Sequence, residues 1–136
     1  MVHFDLLENH LMGKIPRKLM TLSNMKDMIL YYNNLSEPFP DNINNLKRLV
    51  KLDMSINELN GSIPIEIGYL RNIGTLQLNN NRLYGSIPSG LDKLTNLVHL
   101  NIFTSKLTGQ VPSGIGMVSK LVEFDVSTNE LPSPLL

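Results

Sequence analysis

A 24-residue period runs through this chain without insertion or deletion, and it constrains the fold more than any other feature. The clearest copy, Leu49 to Leu70, reads LVKLDMSINELNGSIPIEIGYL and has the skeleton LxxLxMxxNxLxGxIPxxIGxL. Its central Asn57 has counterparts at Asn9, Asn33, Asn81 and Asn129, with Ser105 in the one remaining slot. A fixed period in the twenties defines a solenoid of stacked units, none of which can bury its apolar positions alone. Burying a Leu or Ile contributes roughly 1.5–3 kcal/mol, against a backbone ordering cost of about 1–2 kcal/mol per residue. One unit loses that contest; a stack wins it.

Residues 1–136 read as a single domain of about six repeats, the first and last incomplete, with no polar caps. The second repeat departs from the template at Glu37, beside Pro38, where glycine is expected. The segment Leu52-Asp53-Met54 alternates apolar and polar, the period of a half-buried strand. Stacking sets such strands side by side as a parallel sheet, about 4.8 Å apart. The Asn column (Asn9, Asn33, Asn57, Asn81, Asn129) then forms a ladder that satisfies buried backbone groups as the chain leaves each strand. Gly61 suits a bend that a β-carbon would obstruct, and Pro64 starts a short helical or 3₁₀ turn on the opposite face.

Function classes fall away one by one. The formal net charge is zero, which gives no bulk argument for nucleic acid or an anionic membrane. There are no cysteines, so thiolate metal sites, thiol catalysis and disulfides are excluded. No apolar run approaches the roughly 20 residues that span a bilayer, and Met1 is followed at once by repeat sequence rather than a signal peptide. His3, His10 and His99 assemble neither a metal site nor a general base, and Ser113-Gly114-Ile115-Gly116 belongs to the repeat. No catalytic residue, metal or cofactor is expected. Asn34 and Asn60 begin N-glycosylation sequons, though sixteen Asn in this chain give about two by chance.

What remains is the outward side of the sheet. Its side chains fall six, four and two residues before each ladder position. These three columns hold five carboxylates (Asp5, Asp27, Asp53, Glu123, Asp125) against the single Lys51, so the face is expected to be acidic and to repel nucleic acid. Tyr31, Phe103 and Ile29 place large apolar groups where core packing does not demand them, which points to contact with a partner. Asp53, Gln77, Asn79, Asn101 and Asp125 are the polar candidates for the same contact.

The repeated Asn-x-Leu-x-Gly-x-Ile-Pro unit resembles the plant-specific leucine-rich repeat of receptor-like kinase ectodomains, receptor-like proteins and polygalacturonase inhibitors. ILYYNNL, LNIFTSKLTGQVPSGIG and LVEFDVSTNEL look, more loosely, like repeats of HAESA-type peptide-hormone receptor kinases. The resemblance implies an α/β solenoid, a superhelix or horseshoe with a parallel β-sheet on the concave face and short helical or 3₁₀ turns on the convex one. It implies a cell-surface protein that takes a peptide or protein ligand on that face, with a co-receptor nearby. In that family an Arg-x-Arg pair on the strand face captures the ligand's terminal carboxylate; here Arg17, Arg48, Arg71 and Arg82 fall outside the columns. The apolar ends, around Phe4 and Leu6 and around Phe124 and Val126, suggest a piece of a larger ectodomain or self-association. A polygalacturonase-inhibitor-type defence protein, an intracellular scaffold and an inert truncated gene product are the competing expectations.

Overall fold

The computed structural model describes residues 2–133. Six three-residue strands, His3–Asp5, Asp27–Ile29, Lys51–Asp53, Thr75–Gln77, His99–Asn101 and Glu123–Asp125, pair in sequence order as one parallel sheet. Each register step is one repeat: Leu52 lies opposite Met28 on one side and Leu76 on the other. Five short 3₁₀ helices line the opposite side of the stack, at Arg17–Thr21, Ile43–Asn45, Ile65–Tyr69, Ser89–Lys93 and Ser113–Met117.

The template letters are the core. In the third repeat Leu49, Leu52, Met54, Leu59, Ile63, Ile67 and Leu70 are all buried, and they join one cluster running through the stack. Met25, Met28 and Met54 sit in Leu positions of that cluster, filling space rather than meeting solvent. Pro16, Pro64 and Pro88 stand in extended backbone just ahead of their 3₁₀ turns, and Pro112 precedes Ser113–Met117 in the same way. A proline there starts the turn without forfeiting a needed N–H.

Side-chain amides tie the stack together. Asn57 donates from Nδ2 to the carbonyls of Leu30 (2.9 Å) and Met54 (3.2 Å), and its Oδ1 accepts the Leu35 N–H (3.0 Å). Asn33, Asn81 and Asn129 repeat the pattern, each bonding to its own repeat and the one before. Asn9, in the first repeat, bonds only within its own turn, to the Leu6 and Leu7 carbonyls. At the fifth repeat the rung is missing: the Ser105 hydroxyl is buried and bonds to nothing. Its side chain is too short to span the gap that an Asn amide fills.

Three features have no counterpart in the sequence reading. A second set of narrow parallel pairings flanks the main sheet: Met12–Gly13 with Asn34–Leu35, and Tyr84–Ser86 with Lys106–Thr108. A second amide ladder runs past the 3₁₀ turns, where Asn72 and Asn96 donate to the Lys47 and Arg71 carbonyls at 2.8 and 3.1 Å. The residue just before each ladder position is left-handed in every repeat, with φ between 52° and 56° at Glu8, Tyr32, Ile56, Asn80, Thr104 and Thr128. The template glycines at Gly13, Gly61, Gly85 and Gly109 also need positive φ, and Glu37 meets the same requirement at φ 72°. Obstruction is the lesser cause, because an added Cβ would crowd Pro38 at Gly61 and touch nothing within 4 Å at Gly13.

Candidate partner-binding face

The site is built by alternation. Leu76 and Leu78 point into the core, so Gln77 and Asn79 point out of the sheet; Leu100 and Ile102 set Asn101 and Phe103 in the same way. Side chains six, four and two residues before the ladder thereby form three rows across the six strands.

Accessibility along those rows is uneven. Ser55, Asn79 and Asn101 are buried at 4, 8 and 6% exposure, while Ile29, Tyr31, Asp53, Gln77, Phe103 and Asp125 are half-buried. Strands less than 5 Å apart crowd their outward side chains together, and short ones sink between longer neighbours. Tyr31 and Tyr32 lie with ring centroids 6.0 Å apart and tilted by 37°, and Tyr32 is the exposed member.

The polar residues of the face bond mostly to each other. Asp53 accepts from the Ser55 N–H (3.1 Å) and hydroxyl (2.6 Å), and Asp125 accepts from the Ser127 N–H (2.9 Å). Asp5 does the same for the Leu7 N–H at 3.0 Å. Asn101 donates to the Gln77 side-chain carbonyl at 3.0 Å, yet its own Oδ1, like that of Asn79, is buried without a partner.

Two histidines belong to this face. His3 pairs with Asp27, and His99 with Glu123 at 3.1 Å, each across one strand gap. His3 and His99 share one template position, and each acidic partner stands at the same position one repeat later. Two of the five carboxylates, Asp27 and Glu123, thus bond to an imidazole, and Asp5, Asp53 and Asp125 do not. The arginines stay off it, with Arg17 on Asp41 and Arg82 on Glu58 at 3.4 Å.

Asn34 and Asn60, the sequon residues, are exposed on the flank beside the narrow second sheet. Among the described residues no group of three or more His, Asp or Glu side chains could hold a metal ion. No described helix is long and apolar enough to cross a membrane.

The Leucine Rich Repeat family model matches residues 48–70 and 72–94. The fold matches the plant peptide hormone receptor RGFR1, solved in complex with RGF2, at TM-score 0.92 and 29% identity, over 94% of this chain and 20% of that one. It matches the BIR2 ectodomain from Arabidopsis thaliana at TM-score 0.86 and 34% identity, over 96% of this chain and 69% of that one. The Arabidopsis receptor kinase HAESA, solved in complex with the peptide hormone IDA and the co-receptor SERK1, aligns at TM-score 0.75 over 96% of this chain and 26% of that one. At 24% identity that likeness speaks for the fold alone. No curated protein sequence is similar enough to count as a relative. This chain belongs to the leucine-rich repeat family, and its repeats are of the type that builds plant receptor-kinase ectodomains. It spans about a fifth of the length of RGFR1.

Proposed function

We propose that this chain is a recognition segment of a plant cell-surface receptor ectodomain, one that takes a peptide or protein partner on the exposed face of its sheet. The observation that carries the reading is the pair Tyr31 and Phe103, half-buried on that face although the core demands no aromatic there. Large, partly exposed aromatics of this kind are the commonest anchors of protein contacts. RGFR1, a plant peptide hormone receptor solved in complex with RGF2, supplies the precedent for a peptide partner. The chain itself binds rather than catalyses; signalling belongs to the parent receptor at the plasma membrane.

Two further assignments belong to the same reading. N-glycans on Asn34 and Asn60 would occupy the flank and leave the sheet face clear. The half-buried Phe4 and Leu6 at one end, and Phe124 and Val126 at the other, are faces on which further repeats or second copies stack.

Selection of linear decapeptides against the folded chain tests the proposal. Binders are expected to lose about 2 kcal/mol, roughly 30-fold, on Tyr31→Ala or Phe103→Ala, with unchanged circular dichroism. Binders that ignore both substitutions would remove this face as the recognition surface.

A further inference from the structure

We propose that the centre of the face holds an extended segment carrying two basic side chains four residues apart, one on Asp53 and one on Asp125, with N–H donors between them on Gln77 and Asn101. The inference rests on the peptide-recognition reading above and names the chemistry of the ligand.

From the third repeat to the sixth, the row four residues before the ladder reads carboxylate, amide, amide, carboxylate. Asp53 lies in register with Gln77, Gln77 with Asn101, and Asn101 with Asp125. Three strand gaps of about 4.8 Å put the two carboxylates roughly 14 Å apart, close to the span from residue i to i+4 of an extended chain at about 3.3 Å per residue. A segment lying across the strands therefore brings its first and fifth side chains over the two acids.

The hydrogen bonding of the row selects donors. Asp53 and Asp125 each use Oδ1 on a serine of their own repeat, which leaves Oδ2 to accept. Between them the Asn101 side-chain carbonyl is buried and unpartnered, as is the Asn79 carbonyl beside Gln77, the two residues being 6 and 8% exposed. A buried carbonyl without a donor is a standing cost that an arriving N–H relieves. Rotating the Asn101 amide off Gln77 gives up one bond and frees the Gln77 side-chain carbonyl to accept from an arriving N–H. No lysine or arginine stands in the row, and Lys51 belongs to the neighbouring row at its margin. A free carboxylate arriving here is repelled by Asp53 and Asp125, whereas a guanidinium or ammonium is accepted by them.

The test uses acetylated, amidated nine-residue peptides with two arginines separated by three glycine or alanine residues. Controls carry citrulline in place of arginine, or the two arginines side by side. Binding is followed by side-chain amide resonances of Asn79, Asn101 and Gln77 and by calorimetry at low and moderate salt. The spaced arginine peptide is expected to bind at least fivefold more tightly than either control, and to weaken as salt rises. Asp53→Asn and Asp125→Asn are each expected to lose about fivefold; Asn keeps the acceptor for the local serine, so the fold is retained. Equal binding of the arginine and citrulline peptides, indifference to both variants, or the absence of any shift at the three amides overturns the inference. If selected decapeptides meanwhile depend on Tyr31 or Phe103, peptide recognition stands and only the basic-ligand assignment falls.

Discussion

Ser105 is the residue at which the regularity of the chain gives way. Asn81, one repeat earlier, accepts the Leu59 N–H at 3.0 Å and donates to two carbonyls at 3.0 Å each. Ser105 stands where the same three bonds would reach Leu83, Leu78 and Ile102, and its hydroxyl makes no bond. Ser105→Asn is therefore expected to restore the rung and raise stability by about 1–2 kcal/mol, read as an upward shift in the urea midpoint. Ser105→Ala should change little, because an unpartnered hydroxyl contributes nothing favourable. If the Asn variant is no more stable than the native chain, the ladder is an ornament of the turn and not a source of stability. The ladder positions were legible at the residue scale because period and residue type agree. The left-handed position before each was not, since Glu8, Tyr32, Ile56 and Thr104 share no side-chain chemistry that announces a positive φ. There the backbone path between strand and ladder sets the conformation, and the residues tolerate it.

At the scale of the element, the 3₁₀ turns show how a weak local signal becomes a definite structure. Proline at the start and an apolar residue three positions on were readable in the sequence. The closeness of successive turns was not, because it depends on a pair of glycines in different repeats. A Cβ placed on Gly68 would lie 2.9 Å from the Gly90 carbonyl oxygen and 3.1 Å from its carbonyl carbon and Cα, so the turns Ile65–Tyr69 and Ser89–Lys93 pack backbone against backbone. Gly68→Ala must push the two turns apart and is expected to cost about 1–3 kcal/mol, the range for overpacking a filled site. Gly116→Ala, with nothing within 4 Å of its added Cβ, is the matched control and should be close to neutral. Thermal melts of the two variants decide the matter, since equal midpoints would mean that the turns yield freely. The flanking pairings of Met12–Gly13 and Tyr84–Ser86 escaped the sequence for a related reason. They are two or three residues long, and their hydrogen bonds follow from stacking already fixed by the main sheet.

For the whole molecule, the period settled the architecture because each repeat touches only its neighbours, and one correct unit defines all of them. The candidate site was legible only as a set of rows. The columns came from counting, but which members sink below the surface depends on the size of the side chains across the strand gap, as Asn79 and Asn101 illustrate. The same nearest-neighbour logic fixes how the chain should come apart. Leu76 is fully buried between Leu52 and Leu100, whereas Phe124 at the last described strand is half-buried with a neighbour on one side only. Leu76→Ala is expected to cost about 2–5 kcal/mol as a cavity in a filled core. Because stability in a solenoid is a sum of repeat and interface terms, that loss should lower amide protection in the repeats on both sides. Phe124→Ala should cost less and confine the loss to the final two repeats, with protection at Leu52 and Leu76 unchanged. Hydrogen exchange resolved by residue separates the outcomes. Uniform loss of protection from the Phe124 variant would mean that the repeats unfold as a single cooperative unit, and that the ends of this chain hold the middle in place.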